Sequence, residues 1–275
     1  MTRAKNARVF FYRVFRIDSQ SGSVLSSIGE NETMQTILLS KTDHASDALA
    51  VPRGITSIVG GGGKTTLLLR LARELREAGA RVVVTTSTHI FPPEGIPTLT
   101  DGTLAEVSTL LDQEGLLCLG TSVEKSKLAA PKFAFAELEK IADYVLVEAD
   151  GAKGLPLKAP AEHEPVIPAE TSLVVAVAGL DGLGKPISET VFRPALYSAL
   201  LGMDEQHIVT SDVLARVLTH PLGQRKGLLS GMRFGIVLNK ADSEADKRAA
   251  LQVALNLDQN LVERVVIASL GQTER

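Results

Sequence analysis

The chain has 275 residues, enough for one large α/β domain or two small ones with a sizeable core. Its apolar content of 44%, charged content of 22% and net charge of −3 describe an ordinary globular protein and indicate neither a nucleic acid nor a membrane as partner. The single cysteine, Cys118, excludes an intrachain disulfide and an all-cysteine metal site, and suits the cytoplasm, where we expect the protein.

The N-terminal segment differs in composition from the rest of the chain. Residues 18–33 are polar, rich in serine and glycine, and show no hydrophobic period. Met34 is a second candidate for the start of translation. We therefore expect residues 1–45 to form a poorly ordered extension and residues 46–275 to form the folded domain.

Apolar runs and segments of helical periodicity alternate along the domain. The predicted strands are residues 55–59, 81–86, 116–119, 144–148, 173–178, 206–209, 234–238 and 265–268. The predicted helices lie near residues 46–49, 65–77, 132–142, 190–201, 211–219 and 243–257. This alternation predicts an α/β fold with a mostly parallel sheet flanked by helices, in which ligands bind beyond the carboxyl ends of the strands.

A glycine-rich loop separates the first of these strands from the helix that follows it. The loop consists of Gly60, Gly61, Gly62, Gly63, Lys64, Thr65 and Thr66. Glycine amides and a helix N-terminus bind phosphate, Lys64 would reach the β- and γ-phosphates, and the Thr65 hydroxyl would ligate Mg²⁺. The usual pattern has a further glycine where this chain has Ile58, but the order of strand, loop and helix still predicts a P-loop NTPase-type nucleotide site.

Acidic residues end the strand at residues 144–148. Glu148 and Asp150 follow the apolar run, and Gly151 comes three residues after Glu148. A carboxylate in this position holds Mg²⁺ or orients its waters, and Gly151 allows a backbone amide to approach a γ-phosphate. Glu148 is the first candidate for the metal and Asp150 the second; the simpler alternative is a capping acid with a turn glycine.

The strand at residues 234–238 ends in a tetrapeptide typical of guanine recognition. Asn239, Lys240 and Asp242 lie in the sequence Asn-Lys-Ala-Asp, and Ser269 follows the next strand. The aspartate would accept hydrogen bonds from N1–H and the exocyclic amine of guanine, two donors that adenine does not present together. The asparagine would join this segment to the glycine loop, so GTP is favoured over ATP.

The hydroxyl-rich segment Thr85–His89 has two interpretations. Its side chains are candidates to contact phosphate, magnesium or an attacking water, or they satisfy backbone groups where the strand ends. His89 lacks a second ligand at metal-binding spacing.

Residues 151–168 form a proline-rich segment directly after Gly151. It is a candidate switch that responds to the γ-phosphate, an anion site built on Lys153 or Lys158, or a stiff surface loop. One histidine and two glutamates make a poor closed metal site there. The other charged candidates are Glu162, His163, Glu164, Arg193 and His220.

Two family resemblances follow from these motifs. The glycine loop, Glu148-x-x-Gly151 and Asn239–Asp242 resemble the P-loop GTPases that insert nickel into hydrogenase and urease. More specifically, residues 58–66, 85–90 and 147–168 resemble the selenium-dependent hydroxylase accessory proteins, the YqeC-like family. That resemblance implies a role in maturing selenium-containing molybdenum hydroxylases, with such a hydroxylase or its cofactor machinery as the client.

The combined prediction is an accessory factor that binds GTP (or ATP) with Mg²⁺ and hydrolyses it slowly, with Lys64, Glu148 and Asp150 in the reaction. One alternative is an ATP-dependent small-molecule kinase or nucleotidyltransferase-like enzyme. Another is a non-catalytic carrier gated by nucleotide. A homodimer is a further expected assembly, although no sequence motif specifies it.

Overall fold

The structure, a computed structural model, describes residues 16–17, 24–25, 34–40 and 42–271. The strands, in chain order, are β1 Arg16–Ile17, β2 Val24–Leu25, β3 Gln35–Leu38, β4 Gly54–Gly60, β5 Val82–Thr86, β6 His89–Ile90, β7 Thr98–Leu99, β8 Leu116–Leu119, β9 Thr121–Val123, β10 Lys127–Ala129, β11 Tyr144–Glu148, β12 Leu157–Lys158, β13 Thr171–Gly179, β14 Val191–Phe192, β15 Arg233–Asn239 and β16 Arg264–Ala268. The helices are α1 Ala45–Ala48, α2 Lys64–Glu77, α3 Leu104–Glu114, α4 Phe135–Ile141, α5 Ile187–Thr190, α6 Pro194–Leu201, α7 Ser211–Thr219 and α8 Glu244–Asn256.

A nine-stranded sheet organises the described part of the chain, in the order β3-β16-β15-β13-β4-β11-β5-β8-β7. Every neighbouring pair in this sheet is parallel. The predicted α/β fold with a mostly parallel sheet is therefore confirmed. A small antiparallel sheet, β6-β10-β9, lies beside it.

Helices cover both faces of the large sheet, which explains why its central strands are continuous apolar runs. Alternate residues of β13 belong to different clusters: Val174 packs with α7 and α8, whereas Val175 packs with α2. Helices α3 and α4 cover β11 and β8 on the same face as α7 and α8. Because all strands run parallel, the segments after β4, β11, β13, β15 and β16 meet at one edge.

Several elements differ from the sequence prediction. Residues 206–209 form a turn with a single bridge between Ile208 and Pro186, not a strand. The helix predicted over 190–201 is divided, because Arg193 adopts a left-handed conformation with φ of 67° immediately before α6. Helix α3 has no counterpart in the prediction.

The large sheet includes one strand from before residue 46. Residues 35–38, assigned from the sequence to the extension, form the edge strand β3 and pair with β16. Apart from the short strands β1 and β2, the extension before residue 34 lies outside the described residues, so its predicted lack of order remains a prediction.

Candidate nucleotide site

The glycine loop connects the end of β4 to the start of α2, as the sequence predicts. Gly60, Gly62 and Gly63 have φ of 98°, 74° and 130°, values that side-chain-bearing residues rarely adopt. A Cβ on Gly62 would lie 2.3 Å from the Gly179 nitrogen, and one on Gly63 would lie 2.2 Å from Asn239 Nδ2. The loop is therefore packed tightly against β13 and β15, and glycine is required for both conformation and space.

The backbone amides of the loop divide into two groups. The Gly60 amide donates to Asp150 Oδ2, and those of Gly61 and Gly62 donate to the carbonyls of Val177 and Leu155. The amides from Gly63 to Thr66 have no acceptor within the described part of the chain. The first turn of α2, not the whole glycine run, is thus the available anion cradle, where the helix dipole adds positive potential.

Lys64 is buried at the base of this cradle, with its side chain 5% exposed. Its ammonium donates to the Gly60 carbonyl at 2.7 Å and lies 3.2 Å from Asp150 Oδ1. It is also 4.0 Å from Glu148 Oε1. The loop lysine is therefore held within the protein by the two carboxylates predicted from the sequence.

Thr65 and Glu148 form the second half of the site. The Thr65 hydroxyl donates to Glu148 Oε2 at 2.8 Å, which joins the start of α2 to the end of β11. Burial raises the pKa of Glu148 above its usual range, although Lys64 and the Thr65 hydrogen bond act in the opposite direction. The structure thus brings together the two residues predicted to hold a metal.

Asp150 lies between two ammonium groups and is 1% exposed. Its Oδ2 accepts from the Gly60 amide and lies 3.0 Å from Lys158 Nζ. Its Oδ1 has no hydrogen-bond donor within the described residues, despite the nearby Lys64. Gly151 has open space around it, so packing does not explain this glycine, and its approach to a γ-phosphate stays a prediction.

The segment predicted to recognise guanine lies beside the loop. Asn239 Nδ2 donates to the Gly62 carbonyl at 2.8 Å, and Asn239 Oδ1 accepts from the Leu270 amide. The Ser269 hydroxyl donates to Asp242. The link between asparagine and glycine loop is therefore present, and the ends of β15 and β16 are joined.

Lys240 has a left-handed backbone with φ of 66°, and its ammonium lies 2.6 Å from Asp181 Oδ2.

A buried ionic cluster lies on the other side of Asp150. Lys158, fully buried, donates to Glu164 Oε2 at 2.5 Å and to the Gly151 carbonyl at 2.7 Å, and Arg193 donates to Glu164 Oε2 at 2.6 Å. Burial alone would raise the pKa of Glu164, but the hydrogen bonds from Arg193 and Lys158 outweigh it and lower that pKa to about 2.

The cluster includes one residue that the sequence analysis missed. Gln224 is buried and its side-chain amide donates to the Lys158 carbonyl at 2.7 Å. No local motif marks this glutamine, which lies 66 residues away along the chain.

The other charged candidates are exposed or contact other parts of the chain. Lys153 lies with its ammonium 5.2 Å from the centre of the Phe192 ring, and Glu162 and His163 are exposed. His220 accepts a hydrogen bond from the Leu222 amide. Among the described residues, no three histidine, cysteine, aspartate or glutamate side chains gather as a metal-binding group.

The hydroxyls at the end of β5 are used by the fold. Thr85 donates to the Leu119 carbonyl and Thr86 donates to the Glu148 carbonyl. His89 is exposed and belongs to β6, which pairs with β10. Of the two interpretations of this segment, the contacts favour satisfaction of backbone groups for both threonines.

The chain is similar in sequence to a known protein family. The sequence model of the YqeC protein family matches residues 56–195. YqeC of Escherichia coli (strain K12) is 33% identical over 186 residues, which are 65% of this chain and 73% of the relative.

This chain belongs to the YqeC family.

The YqeC match includes the glycine loop, Glu148, Asp150 and the ionic cluster up to Arg193, and it ends before Asn239.

Two solved structures are more distantly similar to this YqeC protein. FtsY from Mycoplasma mycoides is 16% identical with a TM-score of 0.33; the match covers 81% of this chain and 62% of FtsY. A GTPase from Pyrococcus abyssi in its apo form is 16% identical with a TM-score of 0.34, over 79% of this chain and 90% of the GTPase.

A cleft of about 380 Å³ adjoins the loop of this YqeC protein. It lies between α2 and the segments after β3 and β16, with Thr65, Thr66 and Ser269 at one end and Arg70 and Arg73 along α2.

In the described part of the chain, no helix is long and apolar enough to cross a bilayer.

Proposed function

We propose that this YqeC protein binds a nucleoside triphosphate with Mg²⁺ at the first turn of α2, and that the nucleotide is GTP. The observation that carries the proposal is the convergence of three features: the amides from Gly63 to Thr66, which have no acceptor among the described residues, buried Lys64, and the Thr65–Glu148 pair. Amides and a lysine match the negative charge of phosphates. Family membership and this geometry together support a nucleotide-binding protein.

The donor set fits Mg²⁺. A threonine hydroxyl and a carboxylate supply the hard oxygen ligands that this ion prefers, alongside phosphate oxygens and water. Thr65 and Glu148 would hold the ion, which when bound neutralises charge on the β- and γ-phosphates.

Hydrolysis would proceed by attack of water on the γ-phosphorus, with cleavage of its bond to the β-phosphate oxygen and release of GDP and phosphate. Lys64 would stabilise charge on the transferring group. Asp150 is the candidate to orient the water, because its Oδ1 lacks a hydrogen-bond donor within the described residues. GTPases with a phosphate-binding lysine and a magnesium site commonly hydrolyse GTP slowly in the absence of a partner protein.

The choice of guanine rests on the segment at the end of β15. Asn239 is bound to the glycine loop, and Asp242 contacts Ser269 at the end of β16. Ser269 lines the same cleft as Thr65 and Thr66, and its contact with Asp242 supports the guanine proposal. The contact with Ser269 would yield to the donors of the base when GTP binds.

The experiment is a calorimetric panel of GTP, ATP and CTP, each with and without Mg²⁺. We expect GTP to bind with the highest affinity and to require Mg²⁺. Equal affinity for ATP would remove the guanine assignment, and absence of binding to all three would overturn the proposal. Product analysis separates hydrolysis, which releases phosphate, from a kinase or nucleotidyltransferase-like reaction, which leaves phosphate or nucleotide on an acceptor.

The biological setting is proposed from the resemblance to selenium-dependent hydroxylase accessory proteins. The client would be a selenium-containing molybdenum hydroxylase or its cofactor machinery, and the client would accelerate nucleotide turnover. Phosphate release measured with and without the apo-hydroxylase tests this setting. Tight binding with no turnover in either condition would instead favour a nucleotide-gated carrier.

A further inference from the structure

The buried charges around Asp150 are balanced in the structure. Three cations, Lys64, Lys158 and Arg193, face three anions. The anions are Glu148, Asp150 and Glu164. Buried ions are stable only when paired, because removing one partner leaves an uncompensated charge in a poorly polarisable interior.

Nucleotide binding would disturb this balance at Lys64. Its ammonium now contacts the Gly60 carbonyl and Asp150, both within the protein. To bind a phosphate it must exchange Asp150 for the phosphate oxygens. Asp150 then depends on its second cation, Lys158, at 3.0 Å.

The contacts of Lys158 hold its side chain in place during this exchange. Its three ammonium donors face three acceptors: Asp150, Glu164 and the Gly151 carbonyl. Its backbone carbonyl accepts from Gln224. Unlike Lys64, it belongs to β12 and not to the glycine loop, and its contacts come from several segments of the chain.

We propose that Lys158 is a positioning residue: it is the fixed counter-ion that stays paired with the Asp150 carboxylate and holds it in place when Lys64 turns to the nucleotide. This inference rests on the proposed function and deepens it, because it assigns the two lysines different duties. Lys64 binds phosphate. Lys158 stays paired with Asp150, so that Lys64 can leave this carboxylate without removing its last counter-ion.

The test is a double-mutant cycle on the affinity for Mg·GTP, using wild type, Lys158→Met, Asp150→Asn and the double variant. Methionine keeps the length of the side chain and removes the charge. We expect Lys158→Met to weaken binding about tenfold when Asp150 is present. In that variant the departure of Lys64 would leave the buried Asp150 carboxylate without a counter-ion. In the Asp150→Asn background we expect the same substitution to change affinity by less than about threefold.

A purely structural or general electrostatic role predicts another result. Loss of a positive charge would then weaken binding equally in both backgrounds, and that outcome would overturn the inference. If Lys158→Met alone does not fold, as circular dichroism would show, Lys158→Gln takes its place in the cycle. A tenfold loss of affinity with Asp150 present and less than about threefold in the Asn background supports the inference, and equal losses in both backgrounds overturn it.

The proposed function and this inference fail separately. If wild type binds none of the nucleotides in the panel, the proposed function is wrong. If wild type binds Mg·GTP but the cycle is additive, only the role of Lys158 is wrong.

Discussion

At the scale of single residues, the site depends on charged side chains that are almost fully buried. Lys64 and Asp150 are 5% and 1% exposed and contact each other. Each therefore interacts strongly with its partner, because little water screens the pair. A substitution here should therefore change the electrostatics of the proposed nucleotide site directly.

Replacement of Lys64 by alanine should abolish nucleotide binding and leave the fold intact. Asp150 keeps Lys158 as a counter-ion in this variant, so the remaining buried carboxylate is still paired. Calorimetry with Mg·GTP measures the loss, and circular dichroism checks the fold. The exposed Lys140→Ala is the matched control, and unchanged affinity in Lys64→Ala would contradict the assignment.

Replacement of Glu148 by glutamine should raise the Mg²⁺ concentration needed for nucleotide binding by about 10- to 100-fold. The amide can still accept from the Thr65 hydroxyl, so the variant removes charge and keeps shape. A magnesium titration at fixed GTP measures the shift. The exposed Glu114→Gln should leave the titration unchanged; a similar shift in both variants would exclude a specific role for Glu148.

At the scale of elements, the site is a junction of strand ends. Asn239 closes that junction, since it binds the glycine loop on one side and the segment after β16 on the other. Both partners are backbone groups, and the asparagine is 3% exposed. The order of the loop therefore depends on a residue far away in sequence.

Replacement of Asn239 by alanine should lower the free energy of unfolding by about 2 kcal/mol, because it leaves a buried carbonyl and a buried amide without partners. Denaturant unfolding measures the change, and nucleotide affinity should fall with it. The exposed Asn260→Ala is the control. A stability equal to wild type would show that Asn239 does not hold the loop.

Some elements have local signals in the sequence, whereas others depend on contacts made in the folded chain. Helix α2 and strand β4 were predicted because glycines and a continuous apolar run mark their limits. Helix α3 was missed although Thr103 and Glu106 form a capping box and Gly115 ends it with φ of 70°. The helix predicted near 190–201 was divided at Arg193, whose left-handed conformation no local motif required.

At the scale of the whole molecule, residues from distant segments share one buried charge cluster. Glu164 contacts Lys158 and Arg193, from the proline-rich segment and the start of α6 respectively. The cluster ties that segment to the body of the domain. The stability of the folded domain therefore depends on the ionisation of Glu164.

The pKa of Glu164 predicts an acid-sensitive contribution to stability. Its folded pKa of about 2 lies below the ordinary 4.5, so the contribution is present above about pH 4.5 and is lost as pH falls toward 2. The shift corresponds to roughly 3 kcal/mol.

Glu164→Gln should be less stable at neutral pH and should lose less further stability between pH 4.5 and 2. Unfolding curves across this range measure both effects. The exposed Glu162→Gln should follow wild type, and an acid limb unchanged in Glu164→Gln would refute the assignment.

By itself, the sequence determined the α/β class, the glycine loop and the residues at the strand ends, because glycine conformation, apolar runs and helix starts are local properties. Only the tertiary structure decided which loop amides are available and that Asp150 pairs with Lys158. It also decided that Lys158 contacts Glu164 and Gln224, and that Glu164 pairs with Arg193. Those contacts join residues up to 66 positions apart within this cluster. Their geometry depends on how the strands and loops pack, which no local pattern encodes.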